Sequence, residues 1–436
     1  MADICISGMG IVSALGNNVG ETLAALRAQK SGIGPMRYLK TSHTEFPVGE
    51  VKMSNEEMMG LLGIPTETPT TRTSLMGMLA VRETLVGAGL APAPAQRRGQ
   101  PVGAGLAPAL SQRASQWTLQ RASQRSGQPQ GLPQRCTAFI SGTTVGGMDK
   151  SEQFYLDFLE NDTKNAYIST HDCGACTEMI ADHFGIFSQV DTISTACSSA
   201  ANAILLGAEL LQSGRADMVV AGGCECISKF HLNGFNTLMI LDPNRCRPFD
   251  ATRVGLNLGE GAAYVVLETI ESAHERGVTP LCRLSGYANT CDAYHQTASS
   301  PDGEGAYLAM KKALENANLT PDQIDYINAH GTGTTNNDVS EGTAIMRLFG
   351  NEIPPVSSTK SFTGHTTSAA GAVETVISIL ALQHHFIPVN LNFMHQMPEL
   401  SFSPATNPHP VTPMAHILCN SFGFGGNNTS LIFSKI

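Results

Sequence analysis

The sequence predicts an α/β protein made of two similar halves, and two stretches carry that expectation. Over 190–214, VDTISTACSSAANAILLGAELLQSG, the β-branched run Val190, Ile193 and Thr195 reads as a short buried strand. It turns at Ala196-Cys197-Ser198 into a helix whose first turns hold Ala200, Ala201 and Ala203, with Leu205, Leu206, Leu210 and Leu211 further along. Over 356–382 the same order returns. A strand leads to Lys360 and His365, then to a helix that opens on Ser368, Ala369, Ala370, Gly371 and Ala372 before turning aliphatic. Strand, reactive residue, small-residue helix: the repetition predicts an internal duplication about a pseudo-twofold axis, with both helices at the centre.

Composition narrows the class. A chain of 436 residues with 42% hydrophobic and 15% charged residues buries a large core, as two domains or one double-layered unit. A net charge of -10 with no compensating basic run excludes a general nucleic-acid binder. Eleven cysteines, an odd number without a framework, point to a reducing compartment. The opening MADICISGMG has neither a basic region nor a long apolar stretch, and no run approaches the length of a membrane span. A cytoplasmic protein without membrane contact is expected, so the sequons at Asn427 and Asn428 carry no glycan.

In chain order, 4–8 reads as a strand, 17–29 as a helix, and 71–85 as a second helix with Leu75, Leu79 and Val81 among its apolar positions. The next segment, 86–135, contains six arginines and no acidic residue; VGAGLAPA occurs at Val86 and Val102, and QRASQ at Gln112 and Gln120. This duplicated, Gly/Pro/Gln/Ser-rich stretch, which holds the single Trp117, is expected to be a disordered insert in a surface loop. A strand at 137–140 runs into glycine-rich 141–147, yet no GxxxxGK[ST] occurs in the chain, so no phosphate loop is expected. Cys173 and Cys176 form a C-x-x-C near His183, but no second pair completes a tetrahedral set. Neither a metal nor a cofactor is expected. Strands follow at 218–223, 263–267 and 324–328, with a turn at 247–250 and the run GLNLGEG at 255–261. The chain divides into a nucleophile-bearing half at 1–240 and a histidine-bearing half at 241–436.

The reactive residues suggest one kind of chemistry. Cys197 sits where a strand ends and a buried helix begins, where backbone N–H groups and the helix dipole favour a thiolate near neutral pH. His330 and His365 each follow a strand and neighbour glycines, so both can face one site. Two imidazoles donating N–H to one carbonyl oxygen stabilise an enolate, which decarboxylation of a malonyl thioester requires. Glu374 inside an apolar helix demands a cation, and Lys360 is the candidate. The glycine loop 420–428, NSFGFGGNN, including Gly425 and Gly426, can supply one half of an oxyanion hole and the Cys197 N–H the other. Phe422 and Phe424 in that loop read as a gate.

With DTISTACSSA, NAHGTGT, KSFTGH and NSFGFGG in place, the chain resembles the β-ketoacyl-acyl carrier protein synthases of the elongating type, from ISGMG near Ile6 to SLIF near the end. The resemblance implies a thiolase fold, five-layered αβαβα with two pseudo-symmetric halves, and usually a homodimer. It implies that Cys197 accepts the acyl chain and that His330 and His365 handle decarboxylation of the malonyl thioester. Lys360 and Glu374 would form a supporting pair, and Phe424 would gate access and lend its N–H. Thr332 and Thr334 would contact the phosphopantetheine arm of the acyl carrier protein, and Val145 would line the far end of the acyl tunnel. The 86–135 insert, a short 234–247 connection, the wording GLNLGEGAA and Asn427 in place of a common Thr depart from housekeeping relatives. These point to a branch such as aryl polyene or polyketide-like pigment synthesis. Two rivals remain. A thiolase would need a second catalytic cysteine, for which Cys419 fits poorly, and a non-catalytic chain-length factor would lack the nucleophile.

Overall fold

The computed structural model describes residues 3–90, 136–161, 165–407 and 413–436. Ten strands run through it: β1 (Ile4–Ser13), β2 (Thr137–Gly142), β3 (Gln189–Ile193), β4 (Met218–Glu225), β5 (Gly261–Thr269), β6 (Cys282–Cys291), β7 (Tyr326–Asn328), β8 (Val356–Ser357), β9 (His416–Gly423) and β10 (Asn427–Ser434). The helices that bear on the sheet and the site are α1 (Arg72–Gly87), α2 (Cys173–Phe184), α3 (Ser199–Gln212), α4 (Lys229–Thr237), α5 (Glu304–Ala317), α6 (Thr335–Phe349) and α7 (Ala370–His384).

Strand order reveals the duplication. The sheet runs β3-β2-β4-β5-β1-β6-β10-β9-β7-β8, and read outward from its middle each half has the same plan. In the first half β2 is parallel to β3 and β4, while β5 is antiparallel to β4 and β1. In the second, β7 is parallel to β8 and β9, while β10 is antiparallel to β9 and β6. The halves join through a short antiparallel contact, Cys5 with Arg283 and Ile6 with Cys282. Because β5 pairs with β1 and β4, the boundary expected at 240/241 falls inside the first half; the symmetry divides the chain between β5 and β6.

Helices complete the layers. α1 and α2 pack outside the first half-sheet, and α5 and α6 outside the second. Between the half-sheets lie α3 and α7, in contact with each other and with strands of both halves. Their small residues now have a reason. A Cβ built on Gly371 would lie 2.7 Å from the Cβ of Ala201, so the first turns of the two helices touch almost backbone to backbone. The result is a mixed αβαβα arrangement of the thiolase type.

Some expectations shift locally. β3, the outermost strand of the first half, is half-buried along its length, not buried. The segment expected to be disordered from 86 begins too early: Val86 and Gly87 end α1, Ala88 caps it and is fully buried, and Leu90 packs on the core beneath. The rest of that segment, 91–135 with Trp117, lies outside the described residues. The C-x-x-C pair sits on α2, where the Cys176 thiol contacts the Thr71 hydroxyl at 3.3 Å. No helix among the described residues is long and apolar enough to cross a membrane.

Candidate active site

Cys197 stands just ahead of Ser198, the N-cap of α3, and directly after Ala196, whose φ of +51° is left-handed. Such backbone is costly for a residue with a Cβ and persists only where neighbours enforce it. Two serines do so: Ser199 Oγ donates to the Ala196 carbonyl at 2.6 Å while accepting from Thr195 N–H at 2.9 Å, and Ser198 Oγ donates to the Thr195 carbonyl at 2.7 Å. The other wall of the turn is Gly423 of β9, where a Cβ would stand 2.8 Å from the Thr195 carbonyl and 3.2 Å from the Cys197 nitrogen. No other residue fits there without movement.

His365 Nε2 lies 3.1 Å from Cys197 Sγ. Its backbone is pinned on both sides, N–H to the Asn257 carbonyl at 2.7 Å and carbonyl to Gly259 N–H at 2.9 Å, which gives the GLNLGEG run a positional role. His330 meets His365 nearly edge to face, with ring centroids 5.3 Å apart. The Lys360 ammonium is buried between the two halves of its support: it donates to Glu374, to the His330 carbonyl at 2.6 Å and to His330 Nδ1 at 3.3 Å. An ammonium can only donate, so Nδ1 of His330 accepts and the ring proton sits on Nε2. The cation expected for Glu374 is therefore Lys360, as expected from sequence.

Burial governs the electrostatics. Both imidazoles are held well below the usual histidine range by burial and by the nearby Lys360 charge, so they are neutral donors and acceptors, not imidazolium ions. The Cys197 thiol is pushed up to about 11 by burial, against the pull of Lys360 and of the Phe424 N–H that hydrogen-bonds the sulfur. Burial therefore opposes the thiolate expected near neutral pH at a helix start, and His365 Nε2, 3.1 Å away, is within reach of the thiol proton.

A cleft is lined by Cys197, His330, His365, Thr332, Thr334, Phe422, Phe424 and Gly426, among others. The hydroxyls of Thr332 and Thr334 lie 2.8 Å apart. Two aromatics expected in one glycine loop separate: Phe422 is buried on β9 with its ring 5.8 Å from that of His330, whereas Phe424 begins the 3₁₀ turn Phe424–Gly426 and stacks on Phe235 of α4 at 5.8 Å. Gly425 is exposed outside the cleft lining, its N–H bound to the Gln296 carbonyl at 2.8 Å. Val145 is not among the cleft residues either; its carbonyl accepts from Met148 N–H. Cys419 is buried in mid-β9 and does not line the cleft.

Sequence reasoning passed over Glu341. Its carboxylate accepts from the N–H groups of His330 at 2.9 Å and Gly331 at 2.7 Å and from Asn420 Nδ2 at 3.1 Å, and burial lifts it to about 7. Its helix face also buries Asn337 and Asp338, so no single acid stood out there as Glu374 does in its apolar helix. Glu225 was also missed; it accepts from Thr143 and Thr144 and from Ser368 Oγ at 2.6 Å, joining β4 to the turn before α7.

Comparisons with known proteins decide the family. Models of the β-ketoacyl synthase N-terminal and C-terminal domains match residues 110–273 and 281–394. The chain is 31% identical to 3-oxoacyl-[acyl-carrier-protein] synthase 2 of Coxiella burnetii over 99% of its own length and 98% of that protein. It belongs to the β-ketoacyl synthase family. Among solved structures, the ishigamide ketosynthase/chain length factor covers the synthase fully at TM-score 0.83 and 26% identity, with 99% of that chain matched. A ketosynthase in complex with its chain length factor from Xenorhabdus doucetiae covers it fully at TM-score 0.77 and 28% identity, with 98% of that chain matched. The synthase is a condensing acyltransferase of the 3-oxoacyl-[acyl-carrier-protein] synthase type, a reaction class shared by fatty-acid and polyketide ketosynthases.

Proposed function

We propose that the synthase performs decarboxylative Claisen condensation with the growing acyl chain held on Cys197. The observation that carries this reading is the thiol 3.1 Å from His365 Nε2 with the His330 ring beside it and its Nδ1 engaged by Lys360. In acyl transfer, Cys197 Sγ attacks the carrier thioester, its proton passes to His365 Nε2, and the N–H groups of Cys197 and Phe424 receive the oxyanion. The departing phosphopantetheine thiolate takes that proton back. A malonyl thioester then enters, and neutral His330, protonated on Nε2, donates to its carbonyl oxygen as carbon dioxide leaves; His365 donates to the same oxygen once its ring proton has moved from Nδ1 to Nε2 by exchange with solvent. The enolate carbon attacks the acyl–Cys197 carbonyl, and collapse returns the sulfur as the leaving group. Lys360, Glu374 and Glu341 fix the tautomer and seat of His330.

Thr332 and Thr334 receive the phosphopantetheine arm of acyl carrier protein, with Gly425 and Gly426 shaping the turn beside the entrance, and Phe424 gates it against Phe235. Val145 faces acyl chains that extend beyond the cleft. The synthase works in the cytoplasm as a dimer, with a second copy or with a chain-length-factor-like subunit. A specialised pathway, aryl polyene or polyketide-like, is favoured by its departures from housekeeping wording and by its likeness to ketosynthase/chain length factor structures.

The test is carbon dioxide release from labelled malonyl-acyl carrier protein, together with mass spectrometry of the acyl group on Cys197 after expression in the native host. Release of carbon dioxide and an acyl adduct at Cys197 are expected. If the protein releases none, with or without an acyl primer, the condensing role fails.

A further inference from the structure

Beneath the nucleophile turn, three asparagine side chains from distant elements meet. Asn427 opens β10 directly after the turn Phe424–Gly426, Asn202 stands in the first turns of α3, and Asn289 lies on β6 opposite Thr429. The Oδ1 of Asn427 lies 2.6 Å from Ser198 Oγ, whose one proton it shares with the Thr195 carbonyl at 2.7 Å, and accepts from the side-chain amides of Asn202 and Asn289, both at 2.8 Å. Asn202 Oδ1 accepts from Thr429 Oγ1 at 2.7 Å and from Asn289 Nδ2 at 3.1 Å, and Asn202 Nδ2 donates to Thr195 Oγ1 at 2.9 Å. Asn202 and Asn427 are half-buried and Asn289 is exposed, and shared hydrogen bonds join the three into one network from α3 to β6 and β10.

None of these groups touches the cleft, yet both ends of the cluster bear on it. Ser198 is the residue after Cys197, and Asn427 lies three residues beyond Phe424, whose N–H reaches the Cys197 sulfur. The Ser198–Asn427 hydrogen bond therefore ties the turn that carries one oxyanion donor to the turn that carries the other. We propose that Asn427 is a positioning residue that sets the separation of the Cys197 and Phe424 N–H groups. It acts on acyl transfer, and the proposal rests on the assignment of that step to Cys197 made above. The malonyl decarboxylation step draws on His330 and His365, which are anchored elsewhere through Lys360, Glu341 and Asn257. Its rate is independent of the cluster.

The two reactions can be measured separately. Acylation of Cys197 by labelled acyl-acyl carrier protein is followed in single turnover, and carbon dioxide release from malonyl-acyl carrier protein is followed without primer. Asn427→Ala and Ser198→Ala are each expected to slow acylation on the order of tenfold to a hundredfold, as donors shifted from their aim would. Decarboxylation stays within about twofold. The double variant is expected to lose less than the two single losses combined, since both variants remove the Ser198–Asn427 link while each also removes contacts of its own. Acylation at the parent rate in either variant, equal losses in both reactions, or additive losses would overturn the proposal. Should Asn427→Ala fail to fold, Ser198→Ala decides, because it leaves Asn427 with its two amide donors. A parent protein that carries no acyl group on Cys197 would instead sink the functional reading itself.

Discussion

The two halves repeat one strand plan but are not chemically equivalent. At the end of β3 a half-buried edge strand turns through left-handed Ala196 and presents a thiol. At the equivalent place in the second half, β8 is buried, and the chain passes through Lys360 and His365 into the buried turn Thr367–Ala369 and α7. The second half also holds His330, Glu341 and Glu374, so the buried charges that set protonation come from it. Duplication supplied two strand-to-helix corners facing each other across α3 and α7. In the proposed mechanism one corner carries the nucleophile and the other the donors that stabilise negative charge. The chemistry needs both because a thiol pushed up to about 11 cannot ionise by its own surroundings.

The sharpest way to break this comparison is to remove one side at a time. Cys197→Ala should abolish condensation while malonyl decarboxylation continues, because the sulfur holds the acyl chain and plays no part in enolate stabilisation. His330→Ala and His365→Ala should each lose decarboxylation by roughly a hundredfold or more, the cost of one missing oxyanion donor. Carbon dioxide release from each variant checks both statements, and a Cys197→Ala protein that releases none would mean that the two corners do not divide the work.

Next comes the buried pair. Glu374→Leu leaves the Lys360 ammonium in the core without its carboxylate, which should destabilise the fold by about 3–5 kcal/mol in chemical unfolding. Lys360→Met combined with Glu374→Leu should recover most of that loss, though not the activity, because His330 then lacks the donor that sets its tautomer. A single variant no less stable than the double one would show that the pair does not share one charge balance.

The pH dependence of the nucleophile is a smaller but cleaner effect. A thiol raised to about 11 is protonated throughout the physiological range, so its thiolate fraction grows with pH until that value is passed. Alkylation of Cys197 by iodoacetamide should rise about tenfold per pH unit from 7 to 10 without levelling. A plateau below pH 8 would mean that the start of α3 dominates over enclosure after all. The smallest effect concerns the far end of the acyl path: Val145→Phe should slow transfer of long acyl chains severalfold and spare short ones, through overpacking. Equal rates with both lengths would remove Val145 from the path.

Much of this was legible in the residues. Periodicity marked most of the strands, and the runs of small residues after Cys197 and His365 announced two helices packed without side-chain bulk. The need of Glu374 for a cation pointed to Lys360 from composition alone. These are local properties of a chain, carried by residue type and spacing. What needed the tertiary structure is whatever depends on atoms brought together from far apart. His365 reaches Cys197 across 168 positions of sequence, and the tautomer of His330 is set by an ammonium thirty residues away. The expected ionisation of Cys197 differs because a helix start is visible in sequence, whereas the burial that opposes it is not. The separation of Phe422 from Phe424, the edge position of β3 and the true division between the halves likewise follow from which strands pair. Pairing is decided by the whole sheet, and so no stretch of sequence contains it.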